Sequence, residues 1–379
     1  MAKPIRVVHL VTRMNVGGVA VLVDNLLGNF DKTAVDAILI TGNCDSPEVD
    51  FLEARKPHYS THYIGTFHKS FNLIDDIRSF ISIVKMLKAL EPDVIHTHTS
   101  KAGVFGRVAG FLFLHEAIRV HTFHGHLLVG YFNKFKLSIV IQIERFLSSI
   151  SHALVAMGTQ VQDDLVAVRI APINKFRIFF PGLSQPAIVD KSEARLMLSL
   201  DTEGMYCTFV GRLTQIKRPD RLLKVVQTVY ETDKSIRFLV VGDGDLANET
   251  IKTSTALGLP IQFMGWRQDI SRILAASDIS LLVSDNEAVA LTLIEAAQLG
   301  LPIVTTSAGS VRDIAINGVN AIVTDFDVVE ISDAIVRLAH EPSLRASMGV
   351  AGSTLALQEF SISNMVNKHV ILYQELLRN

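Results

Sequence analysis

Cysteine is scarce in this chain: 379 residues hold two, Cys44 and Cys207, far apart and without metal-ligand spacing. Their scarcity excludes a disulfide framework and suits a reducing compartment. An excess of charge is also missing. Thirty-six basic and 38 acidic side chains leave a net charge of −2, so composition gives no electrostatic reason for a nucleic-acid partner. No run reaches 18 uninterrupted apolar residues, and no membrane-crossing helix is expected. The opening MAKPIRVVHLVT is broken by Arg6 and His9 and lacks a small-residue cleavage site, so it is not expected to act as a signal peptide.

What the chain does hold is apolar mass. Its hydrophobic fraction of 49% against 20% charged residues argues against disorder, and its length fits two domains better than one. Mean hydropathy of +0.33 is high for a soluble enzyme; we read it as buried parallel strands plus some surface that touches a membrane. Short β-rich runs at 5–11, 35–41, 94–98, 117–122, 153–156 and 176–180 alternate with helical patterns, including a helix at 161–169. The alternation repeats at 206–210, 236–241, 261–264, 279–283, 303–305 and 321–323. Continuous apolar runs, not strict alternation, predict strands covered on both faces and right-handed crossovers. The expected fold class is therefore α/β, with two Rossmann-like doubly wound parallel-sheet domains facing across a cleft. Domains are expected at 1–182 and 183–360, with 183–194 as the linker and a C-terminal helix at 361–379 packing back on the first domain.

Three turns carry candidate chemistry. Asn15-Val16-Gly17-Gly18 joins the first strand to a helical run. Glycines there let backbone approach a phosphate, and the helix start supplies N–H groups; a tight turn without ligand accounts for the pair equally well. Gly211-Arg212-Leu213 with Lys217 follows strand 206–210. A guanidinium fork and an ammonium of different reach can clamp one diphosphate, although a solvated basic turn containing Arg218 and Arg221 is the plainer alternative. The sharpest signal follows strand 279–283. Glu287 stands at the strand exit, and Glu295 lies eight residues on, about two turns into the next helix. The first carboxylate can accept from sugar hydroxyls and the second from two ribose hydroxyls. Free amides near Leu291 and Thr292 lie between them, where a phosphate would sit. Leu291, Leu293, Ile294, Ala296 and Ala297 surround Glu295, which disfavours an ordinary surface role.

Glu287 and Glu295 form an E-x7-E pattern. With Gly211-Arg212…Lys217, Gly242-Asp243-Gly244, Phe263-x-Gly265…Asp269, Ala276-Ser277-Asp278 and Gly300-Leu301-Pro302-Ile303-Val304, it resembles the retaining glycosyltransferases of family 4, which have the GT-B fold. The resemblance covers essentially the whole chain and is more specific in the second half. It implies donor-sugar contact for Glu287, ribose contact for Glu295 and diphosphate contact for Arg212 and Lys217. Gly17, Gly18, Gly265, Trp266, Arg267, Ala288, Leu291 and Thr292 complete the expected donor site. In the first half, His96-Thr97-His98-Thr99-Ser100-Lys101-Ala102-Gly103 and His121-Thr122-Phe123-His124-Gly125 resemble the branch that assembles bacterial surface polysaccharides on lipid carriers. The family's cleft histidine maps onto His124, so the implied catalytic set is His124, Glu287, Arg212 and Lys217. His98, Ser100, Lys101 and His126 are expected on the acceptor side. A zinc site built from HTHTSK and HTFHGH is disfavoured, because the histidines leave two strand ends with no carboxylate motif beside them. Asp243-Gly-Asp245 looks like a D-x-D metal motif, yet the family uses this turn structurally. Two positions depart from the pattern: Ala288 stands where the family usually has Gly, so sugar identity does not transfer, and Pro181-Gly182 replaces the frequent Asn-Gly.

The expected activity is metal-independent, retaining transfer from a nucleotide-sugar, UDP-linked as is commonest in that branch, to a glycan or polyprenyl-diphosphate-linked acceptor. The nucleotide-sugar is a substrate, and no cofactor is expected. The expected setting is the cytoplasm, with peripheral contact at the inner face of the membrane. Segment 127–150 is apolar with Lys134, Lys136 and Arg145 interspersed. It reads equally as a surface-lying amphipathic helix or as a buried helix with a basic edge. Rival readings are a GT-B nucleotide-sugar 2-epimerase, a catalytically silent nucleotide-sugar-binding subunit, and a dinucleotide oxidoreductase; the last lacks an early G-x-G-x-x-G.

Overall fold

The computed structural model describes residues 3–45, 48–125, 134–288 and 290–378. The chain divides into two compact units, Met1–Leu183 with Ile362–Asn379, and Ser184–Ser361.

The first unit is built on strands β1 (Ile5–Arg13), β2 (Val35–Gly42), β3 (Ser60–Ile64), β4 (Val94–His98), β5 (Ile118–Phe123), β6 (Ala153–Ala156) and β7 (Phe176–Ile178). They form one parallel sheet in the order β3-β2-β1-β4-β5-β6-β7. The unbroken apolar runs have a direct cause. Val7, Val11 and Leu39 pack into one core, while Val8, Leu10, Ile38 and Ile40 enter a second core on the opposite face. Both faces are covered, so neither can be polar. Strand β3 escapes this signal. It hydrogen-bonds only to β2 at the sheet edge and reads Ser-Thr-His-Tyr-Ile, half exposed. The helix Ile362–Arg378 buries Met365, Val366, Leu372 and Tyr373 in the core that includes helix Gly18–Gly28.

The second unit contains β8 (Met205–Val210), β9 (Ile236–Val241), β10 (Ile261–Gly265), β11 (Ile279–Leu282), β12 (Ile303–Thr306) and β13 (Ala321–Thr324). This sheet is also parallel, in the order β10-β9-β8-β11-β12-β13. The order reverses between β8 and β11, and in such sheets ligands bind beyond the strand ends at that switch point. The expected linker is shorter than 183–194. Asp190 accepts from the amides of Ser192 and Glu193 and starts a helix, Lys191–Met197, and Ala194 is fully buried within the second unit. A capping aspartate accounts for the early helix. Asp278 of the Ala276-Ser277-Asp278 motif locks that helix to the sheet, accepting from Arg195 Nη2 at 2.7 Å, Lys191 Nζ at 2.8 Å and the Tyr206 amide at 2.8 Å. Among the described residues no helix is long and apolar enough to cross a membrane.

Candidate active site

The exits of β8 and β11 carry the two constellations singled out in the second half. Gly211-Arg212-Leu213 leaves β8 and is held from below by the Gly242-Asp243-Gly244 turn. The Gly211 amide donates to Val241 O at 2.9 Å and the Leu213 amide to Asp243 O at 3.0 Å. A Cβ on Gly242 would stand 2.0 Å from Gly211 O, and one on Gly244 would stand 2.4 Å from Leu213 O. Glycine is required at both positions, and the turn is structural.

Lys217 folds back along this loop, its stem 3.8 Å from where a Gly211 Cβ would be. Its Nζ donates to Glu287 Oε1. The expected diphosphate cation and the expected sugar carboxylate are thus brought together as an ion pair. Glu287 is 7% exposed. Arg212 is exposed and has neither an ion pair nor a hydrogen-bonding side-chain partner among the described residues. Arg218 and Arg221, which made a solvated basic turn the alternative reading from sequence, have a different role. Both bind Asp285, at 3.0 Å and 2.8 Å, and Arg221 Nη1 also donates to Val283 O at 2.7 Å. They fasten the loop after β11 to helix Pro219–Thr232.

That loop has a second support. Gly309 has φ +58°, and a Cβ there would lie 2.2 Å from Glu287 O, while the Ser310 amide donates to the same oxygen at 2.9 Å. The side-chain oxygens of Thr214, Ser284 and Ser310 are buried without a partner among the described residues. Asp285, Arg221, Gly309 and these hydroxyls were missed by the sequence reading. Only the clustering of Asp285 beside Glu287 and the glycine just past β12 hinted at them.

Helix Leu291–Gln298 follows. Ala290 at its N-cap provides no side-chain cap, so the Leu291 and Thr292 amides keep their outward hydrogen-bonding capacity. Glu295 is partly buried, and its carboxylate forms no hydrogen bond or ion pair among the described residues. Desolvation alone lifts it to about 7. An uncompensated carboxylate in apolar surroundings is costly and is relieved by a hydroxyl donor. Ala288 is partly buried beside Glu287. Gly265 has φ +63°, and its carbonyl accepts from the Gly242 amide at 2.8 Å. Trp266 is 63% exposed, and Arg267 is paired with Asp269 at 2.7 Å.

In the first unit, Gly17 and Gly18 are exposed at the start of helix Gly18–Gly28. Nothing but Asn15 O, at 3.8 Å, approaches a Cβ built on Gly17, so protein packing does not demand glycine there. His124 follows β5, and its Nε2 lies 2.8 Å from His98 Nδ1. Burial pushes its pKa down to about 4, with the nearby His369 adding to the effect. Two expected acceptor residues are otherwise engaged. His98 is 1% exposed, with both ring nitrogens bound to other histidines. Lys101 Nζ donates to His68 O at 2.8 Å and Ser70 O at 2.7 Å and contacts Asp76, tying down the neighbouring helix Leu73–Leu90. Ser100 is exposed at the start of helix Ser100–Phe113. His126 and segment 127–133 lie outside the described residues.

Residues 16–184 match the family model described as Glycosyltransferase Family 4, and residues 204–341 match that described as Glycosyl transferases group 1. The chain is 28% identical over 351 residues, 88% of its length and 87% of the relative's, to the Escherichia coli UDP-Gal:alpha-D-GlcNAc-diphosphoundecaprenol alpha-1,3-galactosyltransferase. It is 21% identical to the Staphylococcus aureus capsular polysaccharide biosynthesis glycosyltransferase CapM, over 81% of this chain and 83% of that one. Anabaena HepE, solved in complex with UDP and glucose, shares the fold with a TM-score of 0.81 at 19% identity, covering 98% of this chain and 100% of that one. With both halves matched in order on a GT-B scaffold, the chain carries a Glycosyltransferase Family 4 domain followed by a Glycosyl transferases group 1 domain, and it is a glycosyltransferase.

Proposed function

We propose that this glycosyltransferase moves a sugar, with retention and without a metal, from a UDP-sugar to a glycan or polyprenyl-diphosphate-linked acceptor in surface polysaccharide assembly. The observation that carries the proposal is the Lys217–Glu287 pair at the switch point, with Arg212 and Glu295, both without a side-chain partner among the described residues, on the same two loop-helix segments. A diphosphate entering there draws Lys217 from Glu287 and adds Arg212. Glu287 is then free to accept from sugar hydroxyls, and Glu295 from the ribose. Negative charge develops on the β-phosphate as it departs. Two cations and the Leu291 and Thr292 amides stabilise that charge, which is why a metal is unnecessary. The acceptor hydroxyl attacks on the leaving-group face, forming the new C–O bond as the sugar–phosphate bond breaks, and the departing phosphate takes its proton. His124 orients that hydroxyl. It is too weak a base to be the obligate proton acceptor, since its pKa lies near 4. The E. coli relative's name pairs UDP-Gal with a diphosphoundecaprenol acceptor, which supports both substrate classes.

The test is transfer from a panel of UDP-sugars to polyprenyl-diphosphate-linked glycans with a chelator present. Product is expected with the donor's anomeric configuration. Lys217→Ala and Glu295→Ala should each cut turnover about 100-fold or more with folding intact. Near-normal turnover in both variants overturns the site, and a 2-epimer formed without acceptor establishes the epimerase instead.

The setting we propose is cytoplasmic, at the inner face of the membrane. On helix Lys134–Ser149, Glu144 and Leu147 are buried, whereas Ile139, Ile143 and Phe146 are 46%, 45% and 55% exposed. Their spacing makes one outward apolar stripe, which supports lying on a bilayer. Replacing Ile143 and Phe146 by Ser should abolish co-sedimentation with anionic vesicles; undiminished binding rejects the contact.

A further inference from the structure

Behind His124 lies a row of imidazoles that the proposed chemistry does not use. His9 Nδ1 is 3.0 Å from His98 Nε2, and His98 Nδ1 is 2.8 Å from His124 Nε2. The ring centroids are 5.3 Å and 5.1 Å apart, the separations expected when rings meet nitrogen to nitrogen and not face to face. Strands β1, β4 and β5 are neighbours in the sheet, so β1 and β4 each supply one member and the residue just past β5 supplies the third. Both ends of the row are open: His9 Nε2 and His124 Nδ1 are buried atoms without a partner among the described residues.

The surrounding groups do not compete for these nitrogens. His96 is held by Tyr373 Oη at 2.6 Å and Thr122 Oγ1 at 2.7 Å. His121 Nδ1 is held by Thr97 Oγ1 at 2.8 Å, and His369 Nδ1 by Met365 O at 2.8 Å. A metal would have to draw on His9, His96 and His98, whose candidate ligand atoms lie within 4.8 Å of one another. Both nitrogens of His96 and of His98 are already engaged, however, and the His96 and His98 rings lie face to face, 4.5 Å apart. Such rings do not converge on one ion.

A neutral imidazole has one N–H and one bare nitrogen, so a neutral row of three has two self-consistent registers. In one, every Nδ1 holds a proton: His9 donates to His98, His98 donates to His124, and the His124 Nδ1–H is left without a protein acceptor among the described residues. In the other the direction reverses and leaves a His9 Nε2–H in the core beside Phe30 with no acceptor. Each register leaves one buried N–H without a protein acceptor among the described residues. Only the His124 end stands at a strand exit, where a substrate oxygen can accept, and this selects the first register. Burial also keeps the row uncharged, lowering His9 to about 3 and His98 well below its ordinary value.

We propose that His9 and His98 are positioning residues that fix His124 as the neutral Nδ1–H tautomer, so that it meets substrate oxygen as a hydrogen-bond donor. This inference rests on the acceptor-side role given to His124.

The test is multiple-bond 15N–1H spectroscopy of the full chain labelled with 15N-histidine, with signals assigned by single substitutions. At pH 7, His124 and His98 are expected to show protonated Nδ1 and bare Nε2. His9→Phe should remove that preference at His124, and His9→Asn, whose amide can donate from the place of Nδ1, should restore it. Turnover is expected to fall on the order of tenfold in His9→Phe with donor KM unchanged, and to recover in His9→Asn. A His124 protonated on Nε2 in the unsubstituted protein overturns the proposal without any variant. So does a His124 tautomer unaltered in folded His9→Phe, or Zn2+ binding that requires His9, His96 and His98. If the tautomer is as expected while His124→Ala transfers normally, the relay stands and the acceptor-side role of His124 falls.

Discussion

Glu295 is a carboxylate left unpaired among the described residues, and its pH behaviour follows from that. Its pKa in the folded protein is raised to about 7 by desolvation, so between its unfolded value and 7 the folded state binds the extra proton. Stability is therefore lost as pH rises through that window. Glu295→Gln should melt with the parent protein at pH 5 and above it at pH 8, by a margin that grows across the interval. Thermal unfolding at a series of pH values checks this, and equal midpoints throughout would contradict it. The same substitution should weaken donor binding, the usual exchange of stability for function. Glu295 was legible in sequence because its apolar neighbours lie beside it on one helix. Asp285 was not. Its partners Arg218 and Arg221 are 67 and 64 residues away, and only tertiary structure joins them.

At the level of elements, the proposed donor site consists of loops clamped from behind. The loop after β11 is fastened by Asp285 on one side and by Gly309 and Ser310 on the other. Gly309→Ala would place a methyl against Glu287 O at a backbone angle suited to glycine. We expect it to displace Glu287 and lower kcat/KM for donor on the order of tenfold or more, with circular dichroism unchanged. Parent-like kinetics would mean that this support is unimportant. The strands buried on both faces were readable as apolar runs, with ends within about two residues of those observed. Strand β3 was not, since an edge strand half open to water needs no such run. Helix Lys191–Met197 was also missed, because the capping Asp190 sits in a stretch that otherwise reads as an irregular linker.

Across the whole molecule, two sheets with the same doubly wound logic perform different tasks. The first unit lines its central strands with histidines that hold one another; the second ends its own in cations, carboxylates and free amides. The order of motifs made the fold class readable from sequence, whereas the histidine row was not, because His9, His98 and His124 meet only once β1, β4 and β5 are paired. The proposed transfer depends on a diphosphate held by the second unit. Calorimetric titration with UDP measures this most directly. The unsubstituted protein should bind, and Arg212→Ala and Lys217→Ala should each bind about tenfold or more weakly. Equal affinity in all three proteins, or no binding of UDP at all, would contradict it.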